Sequence, residues 1–285
     1  MARLLIATLL TTLTGAMAKD ETAPASVVSI PDPKLNGLVR DVLRRRGIDK
    51  KELAAEDLAK VYFLNGSERK IQDLSGIEHC VNLQEAHFGN NQISSIAPLA
   101  KCINLRVLTL ANNRIQNIEQ LRPLVRLRVL RLQHNRIESI AAVNAFTELT
   151  TLSLTANPIT SLAGLEGHPS LHSLALRATN LSDLTAVKTL PQLGMLDVRD
   201  NLIDELSPLS NHQKLRFLLL AGNKVSNVRP LLELAQNHPR TAPLLVVTLT
   251  GNPVDSSALK DLQQAGYRTQ FYPSESDGTK VQMDE

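Results

Sequence analysis

The chain has no tryptophan, only two cysteines, and aromatic residues at just 3% of its 285 positions. It also lacks a charge imbalance, since 31 basic against 28 acidic residues leave a formal net charge of +3. That balance argues against a dedicated nucleic-acid binder, whose affinity comes largely from neutralising phosphates. No apolar run reaches the ~18–20 residues of a spanning helix, so no membrane insertion is expected. Enzyme signatures are missing as well. There is no Gly-x-Ser-x-Gly, no phosphate loop, no Gly-x-Gly-x-x-Gly and no His-Glu-x-x-His, so no catalytic residue and no cofactor is expected.

What the chain does have is leucine, at 50 of its 285 positions. With 43% hydrophobic and 21% charged residues, this is the composition of a folded, soluble protein. Leucine in such excess, with so few aromatics, suggests many copies of one small unit.

Self-comparison finds a period of 22 residues. NLQEAHFGNNQISSIAPLAKCI (82–103) is followed by NLRVLTLANNRIQNIEQLRPLV (104–125) and RLRVLRLQHNRIESIAAVNAFT (126–147). Three further units run without a gap to residue 213, a longer one begins at Lys214, the last covers 243–254, and a degenerate unit occupies 60–81. The second position is Leu in all eight units from Leu83 to Leu244. Positions five and seven are apolar, as at Leu108 and Leu110, and positions twelve and fifteen are aliphatic, as at Ile115 and Ile118. The tenth is Asn91, Asn113, Asn135, Asn157, Thr179, Asn201, Asn223 and Asn252.

Apolar residues at positions five and seven make a short strand with one inward face. The tenth-position amide both donates and accepts, so it can satisfy turn backbone as the chain leaves the strand. One coil cannot bury its own leucine face, whereas stacked coils share a continuous core. The pattern is that of a leucine-rich repeat. The expected fold class is an α/β repeat solenoid: a leucine-rich repeat horseshoe with a parallel concave sheet, a helical N-terminal cap and a short C-terminal cap.

The expected organisation starts with a signal peptide over 1–18, where Arg3, the apolar Leu4–Leu13 and Ala16-Met17-Ala18 follow the secretory pattern. The alternative for this segment is a frayed or buried N-terminal helix. A linker (19–30), a helical cap (31–59), about nine coils (60–254), a C-terminal cap (255–273) and a loose tail (274–285) complete the chain. In the first cap, Leu35, Leu38, Val39, Val42 and Leu43 share one helical stripe, with Asp32 suited to cap its start and Gly47 its stop. Asp255–Gly266 reads as a closing helix and Tyr267–Tyr272 as a short strand.

The 22-residue units, the Asn91–Leu99 run NQISSIAPL and the helical cap followed by KIQDLSGIEHCVNL (70–83) resemble internalin-like bacterial leucine-rich repeat proteins. The resemblance covers roughly residues 31–265. It implies a curved right-handed solenoid whose concave face binds a partner, usually another protein. Two departures bear on function. No immunoglobulin-like domain, wall anchor or wall-binding module follows the repeats, and the concave face is poor in aromatics, which argues against a role in host-cell invasion.

Positions four, six and eight of each coil point to the concave side, because strand side chains alternate. Met195, Phe217, Leu219 and Val246 form an apolar patch there, bordered by Arg177, Arg199 and Asp197. Interfaces favour Arg, Met and aromatics at their cores, so Arg131, Arg177, Met195, Asp197, Arg199, Phe217 and Leu219 are the candidate partner-binding residues. Arg106 and Arg128, with His134 nearby, form a secondary basic patch. Each of these residues has a plainer reading as strand former or solubilising charge.

Cys80 and Cys102 lie one repeat apart, and stacking would bring their Cα atoms to ~5 Å, within disulfide range. An exported compartment permits such a bond. Against it, their position faces the core and equivalent Cβ vectors run parallel, so a Cys80–Cys102 disulfide stays an open possibility. The basic run RRRGIDKK (44–51) reads as a solvated cap face. His168 and His172 have Pro169 between them and no helix to align them, so no metal site is expected. The expected protein is exported to a secreted or periplasmic location, monomeric, and binds a protein partner. The alternatives are an envelope-associated glycan or peptidoglycan binder, which would use the basic patch, and a cytosolic scaffold like the leucine-rich regulator of type-1 phosphatases.

Overall fold

The computed structural model describes residues 27–240 and 244–270. The expected signal peptide, the tail and the final residues of the expected last strand lie outside them.

The N-terminal cap begins with α1 (Pro33–Arg44) and α2 (Ala55–Leu58). Asp32 caps α1 by accepting from Lys34 N and Leu35 N at 2.8 and 3.1 Å. Its second oxygen accepts from Gln72 N at 2.8 Å and Asp73 N at 3.3 Å, so one carboxylate ties the cap to the first coil. Burial pushes this carboxyl upward, but the four backbone donors outweigh it and hold its pKa below the ordinary value. Gly76 adopts φ +97, and a Cβ there would meet Ser29 O at 2.8 Å, so only glycine lets the Ser29–Ile30 segment pass this close.

Nine coils contribute β1 (Phe63–Asn65), β2 (Glu85–His87), β3 (Val107–Thr109), β4 (Val129–Arg131), β5 (Thr151–Ser153), β6 (Ser173–Ala175), β7 (Met195–Asp197), β8 (Phe217–Leu219) and β9 (Val246–Thr248). With β10 (Arg268–Gln270) they form one parallel sheet in sequence order. The register repeats coil by coil: Leu108 pairs with Leu130, and Leu130 with Leu152. Each middle residue of β2 to β9 is buried, and on the return path Ile93, Ile115 and Ile137 are also fully buried. Short 3₁₀ turns such as Ala97–Lys101 and Ala141–Ala145 form the opposite side. In the lengthened unit that side is instead α3 (Arg229–Asn237).

The buried asparagines bind each coil to the one before it. Asn135 Nδ2 donates to Leu110 O and Leu132 O, both at 2.9 Å, while its oxygen accepts from Ile115 N at 3.0 Å. Asn91, Asn113, Asn157, Asn201, Asn223 and Asn252 repeat the role. The ninth residue of each coil turns left-handed ahead of this amide, and Asn90, Asn112, His134, Ala156, Ala178 and Asp200 all have φ between +53 and +57.

At the far end α4 (Ser256–Gln264) is capped by Asp255, which accepts from Ala258 N at 2.7 Å. Tyr267, beside it, donates its hydroxyl to Leu231 O at 2.5 Å, and burial pushes its pKa up to about 12. No helix among the described residues is long and apolar enough to cross a membrane.

Candidate functional site: the concave sheet

Because each coil repeats in register, the outward side chains of the strands form straight rows across the sheet. Row four joins Met195 to Phe217 and Phe217 to Val246, and row six joins Asp197 to Leu219 and Leu219 to Thr248. The four apolar residues singled out from the sequence are therefore contiguous. Phe217 is 50% exposed, while Met195, Leu219 and Val246 are half-buried. Met195 also accepts from the Ser173 hydroxyl at 3.5 Å, which fixes its thioether at the edge of the patch.

The charges around the patch are paired with one another. Arg199 grips the buried Asp197 carboxylate through Nε at 2.9 Å and Nη2 at 2.7 Å. That fork raises the Arg199 pKa further. Arg177 donates to Asp200 at 2.6 Å from the neighbouring coil. These pairs frame the apolar patch as a fixed rim, and their hydrogen-bonding capacity is already partly used.

In the basic patch Arg128 is engaged by Glu148 at 3.1 Å. The side chains of Arg106 and Arg131 make no hydrogen bond or ion pair among the described residues, and both are exposed. His134, also exposed, sits at the left-handed turn beyond β4 with φ +55.

A third zone was not anticipated. Tyr62 and Phe63 are 40% and 47% exposed at the N-terminal end of the sheet. The Phe63 and His87 rings are 5.5 Å apart, and the Arg46 guanidinium lies 5.1 Å from the Tyr62 centroid. Aligning the degenerate 60–81 unit residue by residue would have placed Phe63 in row four. Its tenth position holds Arg69 in place of Asn, which obscured the match.

Cys80 and Cys102 are both buried free thiols. Burial raises both pKa values, that of Cys102 to about 12, and its Sγ donates to Ile77 O at 3.3 Å. His168 and His212 occupy the same place in later coils, each buried with Nε2 on a main-chain carbonyl. No cluster of metal-ligating side chains occurs among the described residues.

The repeat, the single parallel sheet and the asparagine ladder together define a leucine-rich repeat solenoid. The leucine-rich repeat family, in its two-copy form, matches residues 81–123 and 125–167. Among solved structures the fold is internalin-like. Internalin C2 of Listeria monocytogenes aligns with TM-score 0.60 and 23% identity, over 86% of this chain and 94% of its own. Internalin F of the same organism aligns with TM-score 0.54 and 20% identity, over 86% and 91%. The functional domain of InlJ, also from Listeria monocytogenes, includes a cysteine ladder; it aligns with TM-score 0.58 and 16% identity, over 87% and 62%. At these identities the likeness is one of fold. No curated protein matches the chain in sequence.

Proposed function

We propose that this chain is an exported, non-enzymatic leucine-rich repeat protein that binds a protein partner on the concave face of its sheet. The observation that carries the reading is the half-exposed Phe217, flanked in register by Met195, Val246 and Leu219 and framed by paired charges. An aromatic anchor within an apolar patch and a polar rim is the usual anatomy of a protein-binding hot spot. Export rests on the secretory pattern of residues 1–18.

The test is a crosslinking pull-down from native extracts with residues 19–285, beside Phe217→Glu and Arg131→Glu variants whose circular dichroism matches wild type. A protein captured by wild type and lost with Phe217→Glu supports the reading. Loss only with Arg131→Glu moves the contact toward the centre of the sheet. Equal capture by all three removes the concave face from the binding.

A further inference from the structure

Off the concave sheet, beyond the asparagine turns, neighbouring coils form a groove of ≈ 530 Å³. Its lining comprises five carboxamides between Gln72 and Gln120, Ser94, and the guanidinium groups of Arg114 and Arg136. No carboxylate and no aliphatic or aromatic side chain contributes to it. Arg114 and Arg136 occupy the same position in successive coils, and their backbone N–H groups make the same bond, to Ile93 O at 2.9 Å and Ile115 O at 2.8 Å. In-register stacking therefore sets the two arginines side by side, about 5 Å apart at the backbone. Neither side chain has a hydrogen bond or ion pair among the described residues, and both are exposed.

Like charges placed side by side without a counter-ion repel one another, and the chain does not relieve this pair from within. Of the neighbouring carboxylates, Glu119 is held by Arg122 at 2.5 Å, and Glu138 does not line the groove. A bound oxyanion would satisfy both guanidiniums, each through a two-pronged contact. The remaining lining narrows the ligand further. Carboxamides donate and accept at once, matching hydroxyl groups, which do the same. With no aliphatic or aromatic side chain in its lining, the groove offers little to the apolar anchors that hold peptides. The groove has the volume of a ligand site, although its polarity is far from that of a site for apolar molecules.

We propose that this groove is a binding site for an acidic saccharide, with Arg114 and Arg136 holding its carboxylate or sulfate and the carboxamides its hydroxyls. The site is separate from the concave face and does not depend on the protein-binding reading.

The experiment is calorimetric titration of the full chain with a sulfated uronate oligosaccharide, an oligogalacturonate, a neutral dextran oligosaccharide and sodium sulfate. It is repeated with Arg114→Gln/Arg136→Gln and with the concave control Arg106→Gln/Arg131→Gln, which removes the same charge. At least one acidic saccharide is expected to bind wild type, with dextran and sulfate salt far weaker. The groove variant is expected to bind tenfold or more weakly, since removing a charge-assisted hydrogen bond costs about that factor. The concave control is expected to change by less than about threefold, the scale of an exposed charge. Four results would each overturn the proposal: no binding by either acidic saccharide, binding retained in the groove variant, equal weakening in the two variants, or sulfate salt binding as tightly as the saccharide.

Discussion

The Thr179 hydroxyl lies 3.1 Å from the Asn201 side-chain oxygen and 2.9 Å from Leu176 O, so the rung missing from the asparagine ladder at this coil is closed forward. Elsewhere the tenth-position amide reaches back to the preceding coil, as Asn157 does to Leu132 O at 2.9 Å. Threonine has no second arm, and Ile159 N turns to Asn157 O within its own coil at 2.8 Å.

Restoring the rung should therefore strengthen the junction between the coils on either side. Thr179→Asn is expected to stabilise the fold by about 1 kcal/mol, the net worth of a buried hydrogen bond. Asn135→Ala, which strands Ile115 N and leaves Leu110 O with Asn113 as its one remaining amide donor, is expected to cost about 2–3 kcal/mol. Urea unfolding monitored by circular dichroism checks both, and a destabilised Thr179→Asn would show that the coil has adapted to threonine.

Backbone strain offers a second handle. Ala156 and Ala178 hold φ +55 and +53, where Gly222 and Gly251 stand in later coils. A non-glycine residue there costs about 1–2 kcal/mol. Ala178→Gly recovers part of this, offset by the freedom glycine gains when unfolded. A net gain of about 0.5–1 kcal/mol is expected, read as a higher urea midpoint.

Acid should loosen the later coils through two histidines. Since carbonyls only accept, Nε2 carries the proton in His168 and His212. His212 Nδ1 has no partner, and His168 Nδ1 accepts from Ser170 N at 3.4 Å, so a second proton has no acceptor at either ring. Burial lowers both pKa values below 6.5, against the opposing pull of their carbonyl partners. The unfolded chain then takes up protons first as pH falls, so their contribution is complete above about 6.5 and declines below it. Tm should fall from pH 7 to 5. His168→Leu with His212→Leu, the residue type at positions 124 and 190 of the same column, should flatten that decline.

Both cysteines should survive as thiols. In native protein a thiol reagent is expected to label neither Cys80 nor Cys102, because burial disfavours the reactive thiolate. Denaturation should expose two reactive groups. An intact mass lower by the two hydrogens of a disulfide would overturn this.

The spacing of the sequence was enough to read the strands, their register and both caps, because each follows from a local period. Asp32 capping α1 is an example. The charge pairing was not legible. Arg177 meets Asp200 because a turn residue of one coil stands beside a strand-end residue of the coil before, and side-chain reach decides the contact. The groove arginines sit past the strand, where alternation no longer says which way a side chain faces. Phe63 was hidden by a first coil that has Val61, Gly66 and Arg69 at positions two, seven and ten, where leucine, an apolar residue and asparagine mark the pattern.

Parallel in-register stacking also makes the chain additive in whole coils. Excising 104–125 would rejoin the strands in phase, with 82–103 meeting 126–147 on a matching surface. It would remove one layer of core without disturbing either cap. Removing one residue fewer would require a coil to absorb the mismatch on its return side, as the lengthened unit absorbs its extra residues through α3. Length in this molecule therefore changes most simply in steps of one coil, and a feature spanning two neighbouring coils can be shifted along the solenoid as a unit.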